Sequence, residues 1–317
     1  MKGGEAAQWR LAPERGSLPA IRLMARLSVV AGRAPSRILL RIAAAYFLLT
    51  GGAARRASRQ FLTRALGRPP TLPEIYRHFF TFATTVHDRI YLLKDRFDLL
   101  DIKVHGAELF GPEGALLMGA HFGSFEAMRA CGRSMAQRRV AMAMYEENAR
   151  KVMGVLSAIS PAALQDIIAL GRVESMLEVQ QRLDEGVLVG VLADRTLGDE
   201  PTLAVDFLGA PAHFPTGPMR MAAVLRRRVV FMVGVHLGGN RYEVRFEPLV
   251  DFSVGEEAGG RSERVAEAVR AYAGRLEHYA RTAPYNWFNF FDFWAGQTKA
   301  EHEGHEEGTK GTKKSHD

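Results

Sequence analysis

Seven short apolar runs set the tightest limit on what this chain can become. They lie near residues 100–104, 115–120, 140–145, 167–170, 187–193, 229–237 and 242–248, and most are too brief and too β-branched to stand as helices. Amphipathic stretches follow several of them, most clearly at 125–136, 174–183, 217–225 and 264–281. Strand and helix in alternation predict an α/β fold, a mixed sheet flanked by helices.

The first third has a different character. From Leu18 to about Leu93 the apolar spacing is helical, with Ile75, Phe79, Phe80, Phe82 and Ala83 on one repeat after the turn RPPTLP. Thirteen arginines stand between Arg10 and Arg77 inclusive, and the acidic residues up to Arg77 are Glu5, Glu14 and Glu74, so the net charge of +7 is an N-terminal property. Arg22, Arg26, Arg33, Arg37 and Arg41 fall together at about 100° per residue, opposite an apolar face, with Pro35 expected to divide the segment into two helices. This pattern predicts a helix in a membrane interface, arginines at lipid phosphates; the competing reading is an amphipathic helix packed on its own core with a solvated basic face. The best apolar run, 38–54, carries Arg41 and ends in Gly51 and Gly52, short of the ~20 residues a bilayer crossing needs. The organisation expected is therefore a helical, membrane-associated region over 1–99, an α/β core over 100–297 and a disordered polar tail over 298–317.

Composition and missing motifs remove several classes. One cysteine, Cys131, allows neither an internal disulfide nor a cysteine-cluster zinc site, suits a reducing compartment, and is expected as a small core residue. There is no signal peptide pattern, no phosphate-cradling glycine loop, no G-x-S-x-G elbow and no H-E-x-x-H helix. No nucleic-acid module accompanies the basic charge, and nucleic acid is not an expected partner.

Chemistry concentrates in GALLMGAHFGSFEAM, where His121 follows an apolar strand and Glu126 falls in the first turn of a helix. Five residues apart on one helix, the two would diverge by about 140° and could not pair. They can meet only across a sharp turn, for which Gly123 supplies the backbone freedom and Ser124 the helix N-cap. A histidine can take the proton of an attacking hydroxyl, and a carboxylate on its other nitrogen can fix the tautomer; His121 is the expected base and Glu126 the expected orienter. Spacing alone carries little, since His302 and Glu307 in the tail repeat it by chance.

The block His121-Phe-Gly-Ser-Phe-Glu126 after LLMGA resembles the HX4(D/E) motif of the lysophospholipid acyltransferase superfamily, and its glutamate and Gly-Ser resemble the bacterial lipid A late acyltransferase branch. LDEGVLVGVLADRTLG resembles that branch's strand and Asp-containing loop, supplying Asp194 and Arg195. VDFLGAPAHFPTGPMRMAA resembles its F-x-G to T-G-P segment, supplying Phe207, Gly209, Thr216, Gly217 and Pro218. The blocks occur in family order, and the similarity runs loosely from Ser17 to Trp294. Phe231 stands where many relatives have proline, and the family's distant arginine matches Arg172 only with a one-residue offset. Asp194 and Arg195 are expected to line the site, Arg195 holding a phosphate or developing oxyanion, or else to form a loop salt bridge. Thr216 and Gly217 are read either as donors to an anion at a helix start or as a plain helix start. The aromatic close, TAPYNWFNFFDFW, is read as core rather than acyl-chain pocket.

The resemblance implies direct transfer of an acyl group from acyl carrier protein or acyl-CoA to a hydroxyl of a lipid or glycolipid, on the cytoplasmic face of a bacterial inner membrane. It needs no metal or redox cofactor. Gly123, Ser124 and Arg172 join Asp194, Arg195, Thr216 and Gly217 as expected substrate contacts. The chain's two ends resemble acyltransferases of aryl polyene or xanthomonadin-type clusters. A non-catalytic lipid-binding or scaffold protein of the same fold is the rival reading.

Overall fold

The computed structural model describes residues 28, 30, 32–129, 139–145, 166–196, 200–255 and 260–294. Cys131, Arg22, Arg26 and the tail lie outside the described residues. Strands β1 (Asp101–His105), β2 (Leu116–Gly119), β3 (Val140–Tyr145), β4 (Ile167–Leu170), β5 (Leu188–Leu192), β8 (Arg228–Gly238) and β9 (Arg241–Asp251) form one sheet in the order β1-β9-β8-β2-β5-β3-β4. Only the β8–β9 hairpin pairs antiparallel; every other neighbour is parallel. β2 and β5, central and buried on both faces, read as unbroken apolar runs for that reason. All seven expected strands are present.

The pair β6 (Thr202–Phe207) and β7 (Ala210–Pro215) was not expected. They form an antiparallel hairpin whose two-residue loop, Leu208-Gly209, takes φ 54° and 76°. A tight hairpin asks for positive φ at both loop positions, normally written Asn-Gly or Asp-Gly, and leucine in the first position hides the signal. Leu208 is held there by its N–H, which donates to Glu277 at 2.8 Å.

Helices α1 (Arg33–Thr50), α2 (Gly52–Leu66) and α3 (Leu72–Leu92) form the N-terminal third, with α4 (Val173–Asp184), α5 (Gly217–Val224) and α6 (Gly260–Thr282) following later strands. Ser28 and Val30 are helical, Gly32 is not, and α1 starts at Arg33, so the segment divides at Gly32, just ahead of Pro35. Pro35 sits in the first turn, where a missing N–H costs nothing. α3 begins on a capping box between Thr71 and Glu74, and its buried His78 accepts from or donates to Ser58 at 2.9 Å and meets the Trp287 carbonyl at 2.8 Å. Burial holds that imidazole down to about 4, against the raising effect of the Trp287 carbonyl, so it stays neutral.

Within α1 the basic stripe turns toward the protein at Arg33 and Arg37, while Arg41 is exposed. Arg33 grips the fully buried Asp88 through two bonds of 2.7 Å, and Tyr242 donates to the same carboxylate at 2.8 Å. Arg33 and Arg37 both donate to the Gly239 carbonyl in the β8–β9 turn, while Arg37 and Arg41 lie over the Phe80 ring. A buried carboxylate needs a paired cation, and Asp88 claims Arg33. Ser36, Leu40, Ala44 and Leu48 make the buried side, so the outward face carries Ile38, Leu39, Ile42, Tyr46 and Leu49, up to 72% exposed. No single helix among the described residues is long and apolar enough to cross a membrane; α1 and α2 together meet that length but bend by 95° at Gly51.

Candidate active site

His121 and Asp194 come together because of strand register. β2 and β5 are parallel neighbours with Gly119 opposite Leu192, and the pairing continues as the Ala193 N–H donates to the Gly119 carbonyl at 2.9 Å. One step on, His121 stands beside Asp194 at the carboxyl end of the sheet, where α/β folds collect their ligands. The His121 Nδ1 lies 2.8 Å from Asp194 Oδ1, and the His121 backbone N–H donates to both carboxylate oxygens at 3.1 Å.

Asp194 is wholly buried and also accepts from Trp287 Nε1 at 2.9 Å and Asn289 Nδ2 at 3.1 Å. Burial pushes its carboxyl up, but His121, Arg195 and the Trp287 donor outweigh that and hold it well below the usual carboxylate range. An ionised carboxylate only accepts, so Nδ1 must carry the ring proton, which leaves the Nε2 lone pair free for a substrate. The imidazole is 32% exposed by area yet crowded by protein atoms: burial, then the Arg195 charge, lower its pKa, while Asp194 opposes them. The result is a fixed tautomer, neutral near pH 7.

No hydrogen bond joins Glu126 to this ring in the structure. The turn between them is set by Gly123 at φ 59°, where a Cβ would lie 1.8 Å from the Gly234 carbonyl oxygen. The Gly123 N–H donates to the Asn286 carbonyl at 2.7 Å, the Ser124 N–H to Gly234 at 2.8 Å, and the Phe288 N–H to the His121 carbonyl at 2.7 Å. This sewing aims His121 at β5 and starts a helical turn over 125–129 that carries Glu126 toward α3, where its Oε1 lies 2.7 Å from Arg89 Nε. Ser124 caps the turn as expected, accepting from the Ala127 N–H at 3.1 Å. Gly123 and Ser124 thus shape the loop: both N–H groups serve the fold, and Ser124 is buried.

Arg195 lies beside the pair, as expected. Its Nε donates to Asn289 Oδ1 at 2.7 Å and its Nη2 to the Phe288 carbonyl at 3.0 Å, and burial lowers it to about 10 against the raising effect of Asp194. The remaining expected contacts have partners of their own in the chain or lie off the central strands. Arg172 is exposed, preceding α4 at the end of β4, three strands from β2 and so about 14 Å across the sheet. The Thr216 N–H and hydroxyl both donate to the Pro201 carbonyl, at 3.0 and 3.1 Å. A Cβ on Gly217 would lie 3.4 Å from the Glu200 carboxylate, so an anion of the chain already stands at that helix start.

Sequence reasoning missed Trp287, Asn289 and Asn286, which hold the site from the aromatic close; Asn286 accepts from the His236 N–H at 2.8 Å. Two asparagines inside an otherwise aromatic run were the available signal. Among the described residues, no group of three His, Cys, Asp or Glu side chains could hold a metal ion.

The crystal structure of the 1-acyl-sn-glycerophosphate (LPA) acyltransferase PlsC from Thermotoga maritima is similar at 19% identity and a TM-score of 0.38, covering 76% of this chain and 95% of that one. A comparison with curated proteins found no match. The bacterial lipid A biosynthesis acyltransferase model matches residues 75–295, from α3 through the sheet, the histidine turn and the aromatic segment that braces Asp194, and the chain belongs to that family.

Proposed function

We propose that this chain transfers a fatty acyl group from an acyl carrier protein or acyl-CoA thioester to a hydroxyl of a lipid or glycolipid, with His121 as general base and Asp194 as its orienter. The observation that carries this is the Nδ1 contact of 2.8 Å to a buried carboxylate, which presents a neutral Nε2 at the sheet's carboxyl end. As the acceptor oxygen attacks the thioester carbonyl, Nε2 takes its proton; the intermediate then expels the thiolate, which recovers that proton from the imidazolium. Arg195 supplies positive charge for the developing oxyanion or for a phosphate of a substrate. No serine or cysteine of the histidine turn is placed as a nucleophile, which favours direct transfer over an acyl-enzyme.

Mass spectrometry of lipids and carrier-bound products, after the purified chain is incubated with acyl carrier protein or CoA thioesters and a bacterial membrane extract, tests the assignment. A new acylated lipid with matching loss of one thioester is expected. Thioester and lipid pools that both stay unchanged would leave the scaffold reading standing.

The outward face of α1 supports location at a membrane surface, with Ile38, Leu39, Ile42, Tyr46 and Leu49 entering the acyl region. Each buried aliphatic side chain contributes about 1.5–3 kcal/mol. The double substitution Ile42→Asp/Leu49→Asp should therefore lower flotation with 3:1 phosphatidylethanolamine–phosphatidylglycerol vesicles by at least about tenfold without changing the folded far-ultraviolet spectrum. Equal flotation of the two proteins would remove α1 from the contact.

A further inference from the structure

The mechanism above leaves the Arg89–Glu126 pair without a task. Glu126 is buried at 7% exposure, whereas the Arg89 side chain is 35% exposed. Its Nε is 2.7 Å from Glu126 but is not aligned for a hydrogen bond, and among the described residues the guanidinium has no other partner. Glu126 therefore anchors one edge of a planar fork and leaves its Nη donors open. Arg89 is also close enough for its charge to act on His121, alongside that of Arg195.

An apolar track leads to this cation. Phe82, Val86 and Arg89 follow at i, i+4 and i+7 on one face of α3, and Phe82 and Val86 are 39% and 43% exposed. The Phe82 ring lies 5.2 Å from that of Phe288 and 5.4 Å from that of Phe290. Phe288 is in turn bonded through its N–H to the His121 carbonyl. An exposed aromatic and aliphatic strip that ends on an open arginine fork beside a general base matches a molecule with an alkyl chain, an anionic group and a nearby hydroxyl.

We infer that Arg89 and the Phe82–Val86 strip form the acceptor subsite, and that the acceptor is a lipid whose alkyl chain lies along α3 while its phosphate or carboxylate is held by Arg89. This deepens the proposed function and rests on it for the word acceptor. The specificity it confers is for anionic over neutral headgroups, since the fork gives two parallel charge-assisted bonds that a neutral alcohol cannot return.

Dodecyl phosphate and dodecanol, titrated into the full chain in neutral maltoside micelles, test this. Wild-type protein should bind dodecyl phosphate at least about tenfold tighter than Arg89→Gln does, with dodecanol binding the same in both. Arg89→Lys, which keeps the charge and loses the fork, should fall between them and serves if the glutamine variant does not fold. Val86→Asn should weaken both ligands. In protein labelled at histidine, dodecyl phosphate should raise the His121 titration midpoint in wild type and leave it unmoved in Arg89→Gln. Unchanged dodecyl phosphate affinity in both Arg89 variants would overturn the proposal. His121→Ala should retain dodecyl phosphate binding, so the subsite can fail while transfer stands, and transfer can fail while the subsite stands.

Discussion

Replacing His121 with alanine is expected to lower acyl transfer by about 10²–10⁴-fold, with thioester binding and thermal unfolding nearly unchanged. The ring is one-third exposed and fills no closed core space, so its loss leaves little cavity. What disappears is the proton acceptor. A hydroxyl must otherwise attack as a neutral alcohol or lose its proton to water, and either route forfeits the advantage of a base already positioned. The loss should sit in kcat, because the proton moves only as the transition state forms. In wild-type protein the acid limb of kcat/KM should fall below the ordinary histidine value of 6.5, since burial and Arg195 both disfavour the imidazolium. Above that limb His121 is neutral and competent; below it the base is already protonated. A wild-type rate in His121→Ala would remove the histidine from the chemistry.

Much of this arrangement could be read from the residues before any geometry was known, because periodicity reports local structure well. The apolar runs gave all seven strands of the main sheet, and GAHFGSFEAM gave a strand, a turn and a capped helix start in the right places. What periodicity cannot report is strand order. Asp194 stands 73 residues from His121, and only the parallel pairing of β2 with β5 makes them neighbours. A hint existed: both strands are buried, and each is followed by an alanine and then an ionisable residue, Ala120-His121 and Ala193-Asp194. Two such ends on adjacent parallel strands must meet. The same limit explains α1, whose arginine spacing was legible while the buried carboxylate that draws Arg33 inward, Asp88, is contributed by a different helix.

Asp194→Asn should abolish more activity than Glu126→Gln, the reverse of what sequence spacing suggests. Four N–H groups converge on Asp194: the His121 backbone, His121 Nδ1, Trp287 Nε1 and Asn289 Nδ2. An asparagine offers one acceptor oxygen and turns an NH2 toward donors, so either His121 loses its Nδ1 partner or the Trp287 side is opposed. Once Nδ1 is no longer obliged to hold the proton, the tautomer with hydrogen on Nε2 competes, and that ring cannot accept from a hydroxyl. With the negative charge gone, the imidazolium also faces Arg195 without its counter-ion, so the base weakens further. A loss on the order of 10³-fold in kcat is expected, with reduced thermal stability because a satisfied buried carboxylate has been removed. Glu126→Gln removes only a partly exposed ion pair with Arg89 and leaves the His121–Asp194 contact intact. Its cost should stay below about tenfold and appear mainly in the acceptor KM. Steady-state kinetics on the two variants separate the schemes: should Glu126→Gln collapse kcat at constant KM while Asp194→Asn keeps most of it, the imidazole would have to swing from β5 to the helical turn during catalysis, and Asp194 would be left as a brace for the His121 backbone.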